Sequence, residues 1–271
     1  MSSTAARPAR GRSGPDGRAP RARQLGDTLR RASSRRRGRP VHSDFDGARV
    51  RNAIVRESLA LLAHGLLLPL GGVAGPRPTE RRPDLHTVVF VHGLAGSPGA
   101  FLPLRGFLRL AGSWRQLAFR YRSRGSIEGI AVALKRAVDA HVRGGRVTLV
   151  AHSMGGLVAR YYLQRLGGAR RVERLVTLGT PHRGSHAATF VPAPLVRQLL
   201  PESPFVRQLN ALPPPAGVRV TSIVAGRDLL VQPVDSACCP FGEVVRFDDL
   251  GHVELLFRPE VFATVLAALR A

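Results

Sequence analysis

The chain has 271 residues, 44% hydrophobic and 22% charged, enough for one large globular core and an appendage. Its formal net charge is +23, carried almost wholly by arginine, with Lys135 the only lysine, a skew that speaks of overall composition more than of individually placed contacts. Charge of that size suits an anionic membrane surface or nucleic acid, but no zinc-finger spacing, RNA-stacking motif or basic zipper accompanies it, so nucleic acid is not an expected partner.

Residues 1–51 are rich in Arg, Pro, Gly and Ser, with too few aliphatic residues to offset the entropy of ordering. They read as a disordered basic arm, whose run Arg35-Arg36-Arg37 would suit an anionic membrane. Residues 52–82 read as an apolar helix and a linker. Three readings of residues 53–75 are open: a helix packed on the domain, a membrane anchor, or a displaced signal segment that would direct secretion. The spacing of Val55, Leu59, Leu62 and Leu66 favours the packed helix, with that stripe facing the domain. On that reading the chain is cytoplasmic or membrane-associated.

From residue 83 to the end, short apolar runs alternate with amphipathic ones. Strands are predicted over 87–91, 116–121, 146–150, 174–178, 218–225 and 243–247, and helices over 101–110, 126–142, 157–166 and 261–269. Such alternation implies an α/β fold, a mostly parallel sheet covered on both faces. Residues 185–217 break the rhythm with two short apolar patches bounded by prolines. An insertion there suits either a cap over the strand ends or a plain cover for the core.

The run Val147-Thr148-Leu149-Val150-Ala151-His152-Ser153-Met154-Gly155-Gly156 is a strand, a tight turn and a helix start, with Ser153 at the apex. A serine hydroxyl needs a base, an acid to orient that base, and donors for an oxyanion. Asp228 follows one strand and His252 follows the last. The chain order Ser153, Asp228, His252 is the order that this architecture uses. Asp235, Asp248 and Asp249 are rival acids, and His152 is expected to belong to the turn, pointing away from the serine. His182 would line the site or stabilise its loop. The backbone N–H groups of Leu94, after His92-Gly93, and of Met154 are the expected oxyanion donors. No metal-ligand spacing or phosphate loop is present, so no cofactor is expected, and the adjacent Cys238 and Cys239 make no disulfide framework.

With these residues in view, the chain resembles the α/β-hydrolase superfamily, in particular bacterial lipases and related acyl-ester hydrolases. The resemblance rests on VFVHGLAGSP from Val89, VAHSMGGLVARYY from Val150, LGTPHRGS from Leu178, SPFVRQLN from Ser203, GRDLLVQP from Gly226 and GHVELL from Gly251. It departs at Ala151, where the pattern G-x-S-x-G has glycine. No pair of calcium ligands of the sort that some of those lipases carry is evident. The resemblance implies Ser153 as nucleophile, Asp228 as acid, His252 as base, Leu94 and Met154 as oxyanion donors, residues 185–217 as a small helical lid, and an acyl ester or lipid as substrate. Acyl transfer or thioester cleavage on the same triad is the alternative, and a non-catalytic membrane- or nucleic-acid-binding protein stands behind both.

Overall fold

The computed structural model describes residues 47–72, 86–142 and 144–271. Most of the predicted arm and the proline-rich break fall outside the described residues. The first described helix, α1 (Gly47–Leu67), begins inside the stretch read as arm and is followed by a 3-10 turn, Pro69–Gly72. After it come β1 (Thr87–Val91), α2 (Leu102–Ala111), β2 (Arg115–Phe119), α3 (Ile127–His141), β3 (Val147–His152) and α4 (Met154–Arg165). The chain continues with β4 (Val172–Leu178), α5 (Pro194–Arg197), α6 (Pro204–Asn210), β5 (Arg219–Ala225), β6 (Glu243–Phe247) and α7 (Pro259–Arg270).

The six strands form one parallel sheet in the order β2-β1-β3-β4-β5-β6. The largely β-branched run of β1, apolar after Thr87, is buried along its length, as a central strand covered on both faces requires. Alternate residues serve opposite layers. Val89, Val91, Leu149 and Ala151 pack with α3, α4 and residues of α5 and α6, while Val88, Phe90 and Val150 pack with α2, α7 and Ala60 of α1. The order of connection reverses between β1 and β3, so the loops leaving these neighbouring strands diverge and open a crevice at their C-terminal ends. The loop of His92-Gly93-Leu94 leaves β1 and Ser153 follows β3, at that switch point.

Two expectations are altered. The stripe Val55, Leu59, Leu62 and Leu66 does not face the domain; all four are exposed, and α1 turns Arg56, Glu57, Ala60 and His64 inward. The reason is electrostatic, because Arg56 and Glu57 find hydrogen-bonding partners in the loop after β6. Among the described residues no helix is long and apolar enough to cross a membrane. Within 185–217, Leu195, Val196, Phe205, Val206 and Leu209 are buried in the main core, so this segment covers the core as well as bordering the crevice.

Candidate active site

Ser153 stands between the end of β3 and the start of α4 with φ 55 and ψ −131, a conformation that costs a non-glycine residue about 1–3 kcal/mol. The surroundings hold it there: its N–H donates to Leu178 O at 2.8 Å, and its own carbonyl accepts the Gly156 N–H at 3.0 Å. The turn is tight because neighbouring residues are small. A Cβ on Gly155 would lie 2.4 Å from the carbonyl oxygens of Val91 and His92, and one on Gly93 would lie 2.9 Å from Ser153 Cβ. Ala151, fully buried and paired with Val91 and Thr177 on either side, fills its place in β3 with a single methyl.

Asp228 lies three residues beyond β5 and His252 five beyond β6, and the parallel sheet brings both to the edge where Ser153 stands. His252 Nδ1 and Asp228 Oδ2 are 2.6 Å apart, and both side chains are almost fully buried. The other carboxylate oxygen, Oδ1, accepts the N–H groups of Leu230 and Val231, each at 2.8 Å. Each oxygen of Asp228 therefore has its own task, one fixing the loop and the other the imidazole. Its rivals are elsewhere engaged: Asp235 and Asp248 pair with Arg246, and Asp249 with Arg227, all at the surface.

The loop after β1 is held by aromatic stacking and short polar contacts. His92 stacks on Tyr121 with ring centroids 4.0 Å apart and planes 3° apart, and the Tyr121 hydroxyl donates to His92 O at 2.5 Å. Gly96 N–H donates to Gly93 O at 3.2 Å and Ala95 N–H to Ser123 Oγ at 3.0 Å, bonds that leave the Leu94 N–H out of the turn. The Met154 N–H opens α4 and has no partner within its own helix. Burial drives the His92 imidazole down to about 4 and pushes the Tyr121 phenol up, so both stay neutral near neutral pH.

A cavity of about 430 Å³ reaches Ser153 and His252. Its walls are mostly apolar: Leu61 from α1 and Leu68 just after it, Val191, Val196 and Leu199 from 185–217, and Leu230 from the Asp228 loop. A larger polar groove of about 670 Å³ lies beyond Arg56, lined by paired charges such as Arg227 and Asp249, and contains none of these residues.

Sequence reasoning picked out Ser153, Asp228, His252, Leu94 and Met154, and the structure gathers all five at one sheet edge. It did not find the contribution of α1. Glu57 Oε1 accepts the Val253 N–H at 2.8 Å and Oε2 the Glu254 N–H at 3.2 Å, directly after His252. Burial raises the Glu57 carboxyl, opposed by those two backbone bonds. Just past the other end of the helix, Leu68 O accepts from Ser97 Oγ of the loop after β1 at 2.9 Å. The helix and the turn that follows it thus touch both the loop carrying His252 and the loop after β1. His64, also on α1, lines the cavity with its imidazole held down by burial and then by His252. His152 does not point away as expected; it lines the cavity with its ring centroid 4.7 Å from that of His252. Burial, reinforced by His252, drives it far below its ordinary range. His182 is fully buried, with Nε2 3.0 Å from Thr177 Oγ1 and its carbonyl accepting from Asn210 at 3.0 Å, so it stabilises its loop and does not line the cavity.

A family profile described as the alpha/beta hydrolase fold matches residues 86–213. Together with the parallel sheet and the serine turn, it shows that this chain has the α/β-hydrolase fold. In sequence the chain is similar to a triacylglycerol lipase of Burkholderia plantarii, 28% identical over 152 positions, 46% of this chain. The match spans only 40% of that relative's length. Among solved structures, the mature Bacillus licheniformis lipase BlEst2 superposes with a TM-score of 0.56 at 18% identity, covering 71% of this chain and 96% of that one. A bacterial membrane phospholipase A superposes with a TM-score of 0.52 at 16% identity, covering 83% and 96%. At such identities these two likenesses establish the fold.

Proposed function

We propose that the protein is a serine hydrolase that cleaves carboxylic esters with lipid-type acyl chains. One observation carries the reading: a buried Asp228–His252 pair at 2.6 Å borders the same cavity as a serine held at positive φ. With Nδ1 engaged by Asp228, Nε2 is the nitrogen of His252 left to take the Ser153 Oγ proton as Oγ attacks the ester carbonyl. The carbonyl oxygen, now an anion, rests on the amides of Leu94 and Met154. His252 returns the proton to the departing alcohol, leaving the acyl group on Ser153. Water, activated by the same imidazole, then releases the acid and restores the serine. His64, His92 and His152, neutral through burial, place no competing cation beside the imidazolium.

The leucines and valines of the cavity support an apolar acyl group, and relatives named as a triacylglycerol lipase and a phospholipase A agree with that class. The test is Ser153→Ala assayed on a chromogenic ester. Turnover should fall by about 10³-fold or more with the melting temperature unchanged. A variant that still turns over at the original rate would overturn the assignment. Esters of graded acyl length, read below and above the concentration at which they aggregate, would then separate lipase from esterase.

A further inference from the structure

Among the described residues the apolar stripe on α1 is left uncovered. Val55, Leu59, Leu62 and Leu66 recur at intervals of four, three and four, which places them along one line of the helix. All are exposed, Leu66 by 78%, while Arg56, Glu57, Ala60 and His64 on the opposite side face the domain. This is the reverse of the arrangement by which a surface helix ordinarily buries its apolar face.

The stripe is continuous with the mouth of the Ser153 cavity. Leu61, next to Leu62 on the same helix and half exposed, belongs to the cavity wall, and the wall residues Val191 and Leu230 have as chain neighbours Phe190, exposed by 86%, and Leu229, exposed by 72%. Exposed apolar residues so contiguous mark a docking site. Charge indicates the occupant. The sequence before α1 is dense in arginine, with no lysine or glutamate and few aspartates, and the whole chain carries +23. A second copy bearing the same charge would be repelled, whereas an anionic surface would be attracted. An apolar helix face that follows a polybasic segment in the sequence supplies the two signals that reversible membrane attachment needs.

We infer that the outer face of α1 docks the protein on an anionic lipid surface, with the cavity mouth turned toward that surface. The docked orientation deepens the hydrolase reading and rests on it for its purpose. The apolar side chains of α1 would enter the headgroup boundary lying flat, since no described helix can span the bilayer. Esters leaving the lipid would reach Ser153 along Leu61 and Leu68 without crossing water.

The test uses the full chain and vesicles of phosphatidylcholine with and without phosphatidylglycerol. Binding is read by co-sedimentation on the Ser153→Ala protein, so catalysis does not enter. Strong binding to the anionic vesicles is expected, with weak binding to the neutral ones. The combined variant Leu59→Gln, Leu62→Gln, Leu66→Gln keeps helix-forming residues and adds no charge. It should bind anionic vesicles at least about tenfold more weakly. With Ser153 present, the same triple variant should hydrolyse a soluble short-chain ester at the unaltered rate, because none of the three residues lines the cavity. Undiminished vesicle binding by the triple variant would overturn the inference. So would self-association of the parent protein that the triple variant abolishes, with no vesicle binding, since the face would then join two copies. Failure of the soluble-ester assay in the parent protein would instead strike at the hydrolase reading, leaving the vesicle measurement intact.

Discussion

Glu57 Oε1 accepts the backbone N–H of Val253 at 2.8 Å, linking α1 to the residue directly after His252, 196 positions away. The neighbouring contacts reinforce this one. Arg56 Nε donates to Glu254 Oε1 at 3.1 Å, and Glu254 Oε2 accepts the Gly251 N–H at 2.9 Å. The segment that carries His252 is thus tied on both flanks, and the position of the imidazole depends on α1. Glu57→Ala leaves two backbone donors without their carboxylate, a loss of about 1–3 kcal/mol. If that loss appears in the alignment of His252, kcat should fall about tenfold to a hundredfold with KM nearly constant. Glu57→Gln, which keeps an acceptor oxygen, should recover part of the rate. Steady-state kinetics on a soluble ester distinguishes this from general destabilisation, which would lower the active fraction without the graded rescue.

Asp228→Asn should separate catalysis from stability. The asparagine oxygen can still accept the N–H groups of Leu230 and Val231, which Oδ1 of the aspartate accepts now. Its amide nitrogen would then face His252 Nδ1 and present a donor where an acceptor is needed, favouring the tautomer with Nε2 protonated. A nitrogen that already carries a proton cannot take one from Ser153. A loss of about 10⁴-fold in kcat is expected, by analogy with other triads. Thermal melting should move little. Asp228→Ala, which abandons both backbone donors, should lower the melting temperature as well.

Much of this site was legible because its signals are local. The strand-turn-helix around Ser153 is written in adjacent residues, and the places of Asp228 and His252 follow from where predicted strands end. The contribution of α1 was not legible for the converse reason. Periodicity places Val55, Leu59, Leu62 and Leu66 on one line but does not say which side faces the domain. That choice is made by Arg56 and Glu57 bonding to residues 249–254, a relation between distant parts of the chain. Likewise, the apolar patches of 185–217 fitted a cap or a core cover equally. The structure uses them for both, with Phe205 and Leu209 in the core and Val196 and Leu199 also on the cavity wall. The ring of Tyr121 against His92 gave no signal, since stacking depends on how β2 and β1 are paired.

That stack yields a prediction about the oxyanion loop. Tyr121→Phe keeps the ring on His92 but removes the hydroxyl that donates to His92 O at 2.5 Å. Stability should drop by about 0.5–1.5 kcal/mol, the net worth of one such bond. If the loop then presents the Leu94 amide less well, kcat should fall several-fold at constant KM. Gly93→Ala should be more severe, because its Cβ would sit 2.9 Å from Ser153 Cβ and force the loop away from the nucleophile. Complete loss of one oxyanion donor costs about 3–4 kcal/mol of barrier, which sets the upper bound for this variant. A Gly93→Ala protein with full activity would exclude Leu94 from the role.

Acid should destabilise the fold through its buried histidines. His64, His86, His92, His152 and His182 are all held below their ordinary range, burial being the leading cause in each. For His92 the ordinary value of 6.5 falls to about 4. Between those two values the unfolded chain binds a proton that the folded protein refuses, so protonation favours unfolding. The stability that these groups allow is fully present above about pH 6.5 and declines as pH falls toward about 4. His92 alone accounts for up to about 3 kcal/mol across that window. Glu57, whose carboxyl is raised, works in the opposite direction near its own range, one group against five. Urea unfolding at a series of pH values should therefore give a midpoint that falls steadily below about pH 6.5. Replacing His92 by Gln should flatten that slope, even if it lowers stability at neutral pH, and a midpoint independent of pH down to about 4.5 would contradict the neutral, buried state assigned to these rings.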